Sequence, residues 1–143
     1  MKRWFAIGMG LLIIGSSVAW AKRLTVSVPD ANIRSGPGTR YDILWRVEKY
    51  YPLIITKRTG PWYLFRDFEG DTGWIHKSLV TKIPSAITVK NKANVRSGPG
   101  MTFEILFTIG KGIPFKVLEK RGNWLHVEHG DGDRGWIHKA LMW

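Results

Sequence analysis

The 143-residue sequence contains no cysteine, and acidic side chains are only half as frequent as basic ones. Without cysteine the chain can form no disulfide, thiolate metal site or catalytic thiol, so its stability must come from its core. The 22 Lys and Arg residues against 11 Asp and Glu give a formal net charge of +11. This excess fits an anionic partner such as nucleic acid, an anionic membrane surface or an acidic cell-wall polymer. A generally basic protein without a dedicated anion site is the alternative.

The N-terminal apolar run is too short for a comfortable membrane span. It covers residues 5–18, and a positively charged start at residues 1–3 precedes it. Ala19 and Ala21 place small residues at both positions that a signal peptidase inspects. We therefore predict a signal peptide over residues 1–21, an exported protein in the periplasm or cell envelope, and no transmembrane span after cleavage. An uncleaved N-terminal anchor is the alternative.

The rest of the chain is an internal repeat. A shift of 62 residues places Ala-Asn-Ile-Arg-Ser-Gly-Pro-Gly at 31–38 onto Ala-Asn-Val-Arg-Ser-Gly-Pro-Gly at 93–100. The register then holds without a gap to the C-terminus, and 21 of the 51 pairs that begin with residues 31–81 are identical. Such self-similarity indicates duplication of one structural unit. It predicts two domains, 22–82 and 83–143.

Upstream of the shared motif the apolar pattern fits a different shift. Leu24, Val26 and Val28 alternate in one phase, and Ile87 and Val89 match them better at a shift of 63. This predicts one extra residue or a bulge before the motif in one copy.

Each copy has the pattern of an all-β unit. Short segments rich in β-branched or aromatic residues, such as 53–56 and 115–118, alternate with glycine and proline clusters about every ten residues. No helical apolar period of useful length occurs. Five or so short strands in about 60 residues favour a small closed or half-closed β-barrel.

Alternation assigns faces to the aromatic segments. In the strands that start at Trp62 and Trp124, the second and fourth residues are apolar in both copies, so these two tryptophans should face outward. The shared Gly-Trp-Ile-His segment puts isoleucine in the core, and Trp74 and Trp136 on the opposite face with the histidines. Tryptophans at equivalent outward positions are either shielded by a loop or used for binding.

The shared Arg-Ser-Gly-Pro-Gly sequence predicts a tight structural turn after a strand. Its glycines supply backbone freedom and its proline a fixed φ. No Gly-Lys-Ser/Thr follows, so it is not a phosphate loop. Arg34 and Arg96 either bind a ligand or bridge to a local carbonyl, and the second interpretation is favoured.

The residues that catalysis or metal binding would need do not converge. No serine stands in a nucleophile elbow, and His76 is the one histidine of the first copy, whereas zinc needs three or four ligands. The acidic segments 67–71 and 128–133 lack the spacing and closing glutamate of a calcium loop, which predicts hairpin turns. We expect no enzyme activity, no metal and no cofactor, and we expect the histidines to be ordinary strand-end residues.

The aromatic set is the best candidate for a binding surface. Flat aromatic faces bordered by basic residues suit sugar rings, peptide backbone or proline-rich strands. The alternative is that these rings close the ends of the barrel core. The candidate ligand-binding residues are Tyr41, Trp62, Trp74, Phe103, Trp124 and Trp136.

The order of the motifs resembles that of the bacterial SH3-like domain. Asn-Val-Arg-Ser-Gly-Pro-Gly, a later Gly-x-Trp and a closing Gly-Trp-Ile-His occur twice, within residues 24–82 and 86–143. The resemblance implies two SH3-type β-barrels in tandem. Members of this family are exported modules, often joined to cell-wall hydrolases, which they are thought to target to peptidoglycan. Because the two copies account for nearly all of the sequence after residue 21, we expect no attached catalytic domain, and this expectation leaves binding.

We therefore expect a non-catalytic exported binding module. Its partner is predicted to be peptidoglycan or another cell-envelope polymer, bound through aromatic patches on two barrels. The alternative is a periplasmic interaction module that binds extended peptides of another exported protein. Nucleic acid is not expected, because an exported protein rarely meets it.

Overall fold

The computed structural model describes residues 21–143, so the predicted signal peptide lies outside the described residues except for Ala21. The first half forms seven strands: β1 (Lys22–Val26), β2 (Asp30–Arg34), β3 (Ile43–Glu48), β4 (Pro52–Thr59), β5 (Trp62–Arg66), β6 (Thr72–His76) and β7 (Val80–Thr81). The second half forms six: β8 (Ser85–Ile87), β9 (Ala93–Arg96), β10 (Ile105–Ile109), β11 (Pro114–Arg121), β12 (Trp124–Glu128) and β13 (Arg134–His138). A 3-10 turn follows β6 at Lys77–Leu79 and another follows β13 at Lys139–Leu141.

The strands form two separate antiparallel sheets of the same topology. The first has the order β3-β2-β6-β5-β4-β1-β7, and the second has the order β10-β9-β13-β12-β11-β8. Each sheet belongs to one half of the chain, which confirms the prediction of two all-β, SH3-like units in tandem. The boundary between residues 82 and 83 stays a prediction.

Each sheet curves around its own core. Phe65, Ile33 and Ile75 are fully buried in the first, and Phe115, Val95 and Ile137 are 0–1% exposed in the second. Ile75 and Ile137 are the inward-facing isoleucines that the Gly-Trp-Ile-His pattern predicts. Burial of an aliphatic or aromatic side chain of this size contributes about 1.5–3 kcal/mol.

The prediction of an extra residue before the motif was wrong. Thr25 is paired with Pro52, and Ile87 with Pro114, so each residue of the second pair lies 62 positions after its counterpart in the first pair. The Gly112 N–H donates to the Thr88 carbonyl as the Tyr50 N–H does to Val26. The repeat therefore keeps one register along its described length.

A buried threonine explains why the apolar pattern suggested otherwise. Thr88 occupies the position of Val26 and is fully buried. Its hydroxyl donates to the Gly110 carbonyl at 2.8 Å and accepts the Ile113 N–H at 2.8 Å. Because both functions of the hydroxyl are satisfied, a polar side chain fits an apolar position.

The glycines of the motif serve a different purpose from the one predicted. Gly36 and Gly98 are not among the described residues with positive φ. A Cβ on Gly36 would lie 2.4 Å from the Tyr41 ring, and one on Gly98 would lie 2.3 Å from the Phe103 ring. These two positions need glycine because an aromatic ring covers the backbone there. The prediction of a structural turn holds, but its reason is space rather than backbone freedom.

The two barrels contact each other on one side through β1 and β8. The Thr25 hydroxyl lies 2.6 Å from the Ser85 hydroxyl and donates to the Ile83 carbonyl at 2.7 Å. Arg23 donates to the carbonyls of Ser85 and Trp143 at 3.0 and 2.9 Å, and its guanidinium lies 4.4 Å from the centre of the Trp143 ring. Burial lowers the pKa of Arg23.

On another side the barrels are joined by a histidine–glutamate hydrogen bond and by an ion pair. His129 Nε2 lies 2.7 Å from Glu48 Oε1, and Lys111 Nζ lies 3.0 Å from Glu69 Oε2. Because two separate groups of contacts join the barrels, the barrels pack directly against each other. Among residues 21–143, no helix is long and apolar enough to cross a membrane.

Candidate functional site

A cleft of about 460 Å³ lies on the second barrel, and we call it the Trp124 cleft. This volume falls within the range of ligand pockets, about 300–1,000 Å³. The lining residues come from β9, β12, the end of β13 and the loops beside them. They are Lys92, Asn94, Arg96, Met101, Trp124, His138 and Leu141.

Trp124 and His138 form one wall of the cleft. They are paired across β12 and β13, and their rings meet edge to face with centroids 5.2 Å apart. His138 is the last residue of β13 and fits the strand-end prediction, but that prediction is wrong for His126, which lies in the middle of β12. The His138 Nδ1 accepts the Ala140 N–H at 3.1 Å. Because Nδ1 is an acceptor, the neutral ring carries its proton on Nε2 and offers an N–H donor there.

Arg96 ends β9 and combines a structural role with a place in the cleft. Its Nη1 donates to the carbonyls of Met101 and Phe103 at 3.0 and 2.9 Å, which confirms the favoured interpretation of a bridge to local carbonyls. Arg34 makes the equivalent bonds to Thr39 and Tyr41. Arg96 is only 8% exposed as a residue, yet its guanidinium forms no ion pair with any residue between 21 and 143.

The remaining polar residues of the cleft also present donors. Asn94 accepts the Thr108 hydroxyl at its Oδ1, 3.0 Å away, so its amide N–H groups remain available. Lys92 adds an exposed ammonium group just before β9. None of the seven lining residues is Asp or Glu. The cleft is therefore positively charged and rich in donors beside one flat aromatic ring.

The predicted aromatic residues do not form one surface. Trp124 lies in the cleft. Tyr41 and Phe103 pack on the motif glycines, with Tyr41 half-buried and Phe103 44% exposed. Trp74 is half-buried and is paired with Leu64 on the neighbouring strand. Whether any of these residues binds a ligand stays a prediction.

Two of the six aromatic candidate residues, Trp62 and Trp136, are largely buried. Trp62 shares the outer face of β5 but is 9% exposed, with its ring edge to face against His76 at 5.1 Å. Its outward position was predicted, and shielding was one of the two alternatives stated for an outward tryptophan. Trp136 is 7% exposed because His126 stacks on it at 4.7 Å and the Arg121 guanidinium lies 5.5 Å from the ring centre.

The repeat register relates the cleft to the first barrel. Five of its seven positions carry the same residue in both copies, and in the first copy these residues are Asn32, Arg34, Trp62, His76 and Leu79. The other two differ, with Asp30 in place of Lys92 and Thr39 in place of Met101. The two barrels therefore present the same framework with a different charge.

Of the seven lining residues, Trp124 was a predicted binding residue and Arg96 was weighed as one, whereas the other five were missed. Lys92, Met101 and Leu141 belong to different elements and carry no motif of their own. A comparison of the two copies could have indicated Lys92 and Met101, because the copies carry different residues at these two positions.

A second depression of about 300 Å³ lies where the two barrels meet. Its floor is apolar and its rim includes Glu48, His129 and Asp131. Burial alone would lower the pKa of His129, but hydrogen bonds to Asp131 and Glu48 outweigh it and the pKa is raised. The Asp133 N–H and then His129 lower the pKa of the Asp131 carboxyl. Between residues 21 and 143, no three His, Asp or Glu side chains are arranged to hold a metal ion.

The fold and the repeated motif define a tandem SH3-type barrel protein. The family model of the bacterial SH3 domain matches residues 27–82 and again residues 89–143, which together exceed half of the chain. The chain belongs to the bacterial SH3 domain family.

Named relatives of the chain include cell-wall enzymes. It is 28% identical over 139 residues to a putative N-acetylmuramoyl-L-alanine amidase of Bacillus subtilis, with 89% of this chain and 27% of the relative covered. It is 33% identical over 52 residues to a probable cell wall amidase of Staphylococcus epidermidis, with 36% of this chain and 18% of the relative covered. The chain thus spans about a quarter or less of these relatives.

Among solved structures, the chain is similar to NlpC2 from Trichomonas vaginalis. The TM-score is 0.39 at 13% identity, and the match covers 89% of this chain and 49% of that chain.

Proposed function

We propose that this chain is a non-catalytic, exported binding protein that attaches to peptidoglycan or another cell-envelope polymer through its two SH3-type barrels. The observation that carries the proposal is the Trp124 cleft, in which an aromatic wall stands beside two cations and further donors. Cell-wall glycans present sugar rings with apolar C–H faces as well as acidic groups, and these match that lining. Membership of the bacterial SH3 family and relatives named as cell-wall amidases support the same partner.

Docking of the barrels gives the two binding surfaces a set separation. The contacts of Arg23 and Thr25 with β8, together with the His129–Glu48 pair, hold one barrel against the other. Two weak sites on one rigid body gain avidity when both reach the same polymer. The two barrels would then bind a polymer more tightly than either alone.

Retention on purified sacculi tests the proposal. The protein should pellet with sacculi at low salt and be released as salt rises, because attraction between its excess of basic residues and an acidic polymer is screened. Trp124→Ala should reduce retention about tenfold or more, as loss of an aromatic anchor does at a binding site. Leu106→Ala is the matched control, since Leu106 is 47% exposed on the same barrel and lies outside the cleft lining. Protein that stays in the supernatant at low salt would refute the proposal.

Absence of cleavage is part of the proposal and has its own test. The two matches to the family model are both to the SH3 domain and between them account for most of the described residues. Incubation with dye-labelled peptidoglycan should release no soluble dye. Release that persists after purification to homogeneity would contradict the non-catalytic assignment.

One observation favours the second candidate, an interaction module for extended peptides. The edge strands β3 and β10 each begin with large exposed apolar residues, Ile43 and Leu44 in one and Ile105 and Leu106 in the other. An edge strand with exposed apolar side chains can accept an added strand. Co-purification of one dominant exported protein, lost in Leu106→Ala and not in Trp124→Ala, would support this candidate over the first.

A further inference from the structure

We infer that the two barrels are not equivalent, and that the Trp124 cleft of the second is an anion site that receives a carboxylate or phosphate group of the bound polymer. The inference rests on the proposed function for the identity of the polymer. The site itself follows from the charges and hydrogen bonds of the residues described above.

The main observation is a buried positive charge without a counter-charge. Arg96 is 8% exposed as a residue, and no carboxylate of the described chain pairs with its guanidinium. Residues 1–20 contain no Asp or Glu that could do so. A buried charge is costly unless it is paired, and Arg96 lines an open cleft. The two carbonyls bonded to Nη1 satisfy one edge of the guanidinium and leave Nε and Nη2 without a partner in the described residues.

The other polar groups of the cleft are donors as well. Lys92 carries an ammonium group, Asn94 retains its amide N–H groups, and His138 offers Nε2–H because its Nδ1 is already an acceptor. A cleft that is rich in donors and has no Asp or Glu in its lining complements an acceptor group with negative charge. Carboxylate and phosphate oxygens are the groups that Arg and Lys bind most strongly.

The apolar part of the lining indicates what adjoins the anion. Trp124, Met101 and Leu141 supply a flat ring and two flexible or branched aliphatic chains. The volume of about 460 Å³ exceeds that of a single acidic group. The ligand is therefore an acidic group attached to a sugar ring or a short aliphatic segment, rather than a free small anion.

The first barrel lacks this charge. At the position of Lys92 it carries Asp30, which pairs with Arg46 at 3.5 Å. Asp30 and Arg34 have opposite charges, whereas Lys92 and Arg96 have the same charge. The framework of tryptophan, histidine and asparagine is retained, but the charge that an anion needs is present only in the second barrel, so we assign anion binding to the second barrel alone.

Chemically modified sacculi test the inference with the purified full chain. One batch has its carboxylates converted to amides with carbodiimide and ammonia, one has its phosphate polymers removed with hydrofluoric acid, and one is untreated. Retention of the wild-type protein should fall about tenfold on one treated batch, and that batch identifies the source of the anion. Equal retention on all three batches would overturn the inference and leave the proposed function standing.

A charge-reversal pair checks that the effect belongs to the cleft. Lys92→Asp gives the second barrel the residue of the first, and its retention should be about tenfold weaker and no longer depend on the treatment. Lys57→Asp makes the same change of net charge on an exposed position of β4 and should keep both the retention and its dependence. Equal effects of the two variants would show general charge attraction and overturn the inference.

Soluble probes separate failure of the site from failure of the proposed function. If untreated sacculi are not bound, the proposed function fails, and the nitrogen-15 spectrum is titrated with N-acetylalanine, N-acetylalaninamide and inorganic phosphate. Saturable shifts of the Trp124 indole N–H with an anionic probe, absent with the amide and absent in Lys92→Asp, would support the anion site. No such shifts with any probe would overturn it.

Discussion

At the scale of single residues, Gly135 shows how closely the strands of a barrel approach. A Cβ at this position would lie 2.3 Å from Val95 Cγ1 and 3.1 Å from the Arg96 carbonyl oxygen. Gly73 faces Ile33 at the same distance in the first barrel. The glycine of the Gly-Trp-Ile-His motif is therefore required for the close approach of two strands. These strands are β9 and β13 in the second barrel and β2 and β6 in the first.

We expect Gly135→Ala to lower the free energy of unfolding by about 1–3 kcal/mol, the usual cost of overpacking a core. Urea unfolding followed by tryptophan fluorescence measures the change. Gly130→Ala is the control, because a Cβ there meets only Lys49 Cβ at 3.5 Å, an ordinary contact, and should change the value by less than about 0.5 kcal/mol. Equal stability of the two variants would show that β9 and β13 can separate freely.

At the scale of elements, the turn between β5 and β6 depends on one buried carboxylate. Asp67 is 4% exposed, and its Oδ2 accepts the Tyr51 hydroxyl at 2.8 Å. Its Oδ1 accepts the N–H groups of Glu69 and Asp71 at 3.0 Å each. The pKa of Tyr51 is raised, first by burial and then by this bond. The prediction of a hairpin turn at this acidic segment is confirmed, and the acid itself organises the turn.

Asp67→Ala should destabilise the protein by about 2–3 kcal/mol, because three donors lose an ionised acceptor and one of them is a partly buried hydroxyl. Denaturant unfolding measures the loss. The double variant Asp67→Ala, Tyr51→Phe should recover part of it, since it removes the unpaired phenol. Additive losses in the double variant would show that the phenol and carboxylate do not interact.

At the scale of the whole molecule, the same repeat position has a different task in each barrel. His129 stands where Asp67 stands in the first copy, and it bridges outward to Glu48 of the other barrel at 2.7 Å. Asp133 and Lys49 line the same surroundings, so the histidine lies among charges of both signs. After the duplication, Asp67 stabilises a turn within its own barrel, whereas His129 contributes to the contact between the two barrels.

The stability contributed by the contact of His129 with Glu48 should depend on pH, and the pKa of His129 sets the direction. Its pKa is raised in the folded protein, so its protonated form is favoured by folding. The resulting stability is fully present below the unfolded-state pKa, about 6.5, and is lost as the pH rises through the higher folded-state value. Between about pH 5 and pH 9 the difference in unfolding free energy between the wild type and His129→Gln should therefore shrink as the pH rises. Parallel pH profiles of the two proteins would contradict this.

The sequence predicts the fold well because the fold rests on local rules. Repeat register, glycine and proline spacing and the alternation around Phe65 and Val127 identify two β-barrels and their inward faces. The same rules failed at Thr88, where buried hydrogen bonds replace an apolar contact, and at Gly36, where the ring of Tyr41 folds back over the backbone and occupies the place of a Cβ. Such contacts have no signature in the order of neighbouring residues.

By itself, the sequence determined that this protein is a duplicated, cysteine-free, all-β chain of the SH3 type, because motif order and periodicity depend on neighbours along the chain. Only the tertiary structure decided which residues share a surface. It gathered Lys92, Arg96, Trp124 and His138 into one cleft, covered Trp62 and Trp136, and joined the barrels through His129 and Glu48. Those outcomes depend on which strands meet, and residues far apart in the chain meet only when the sheet has closed around its core.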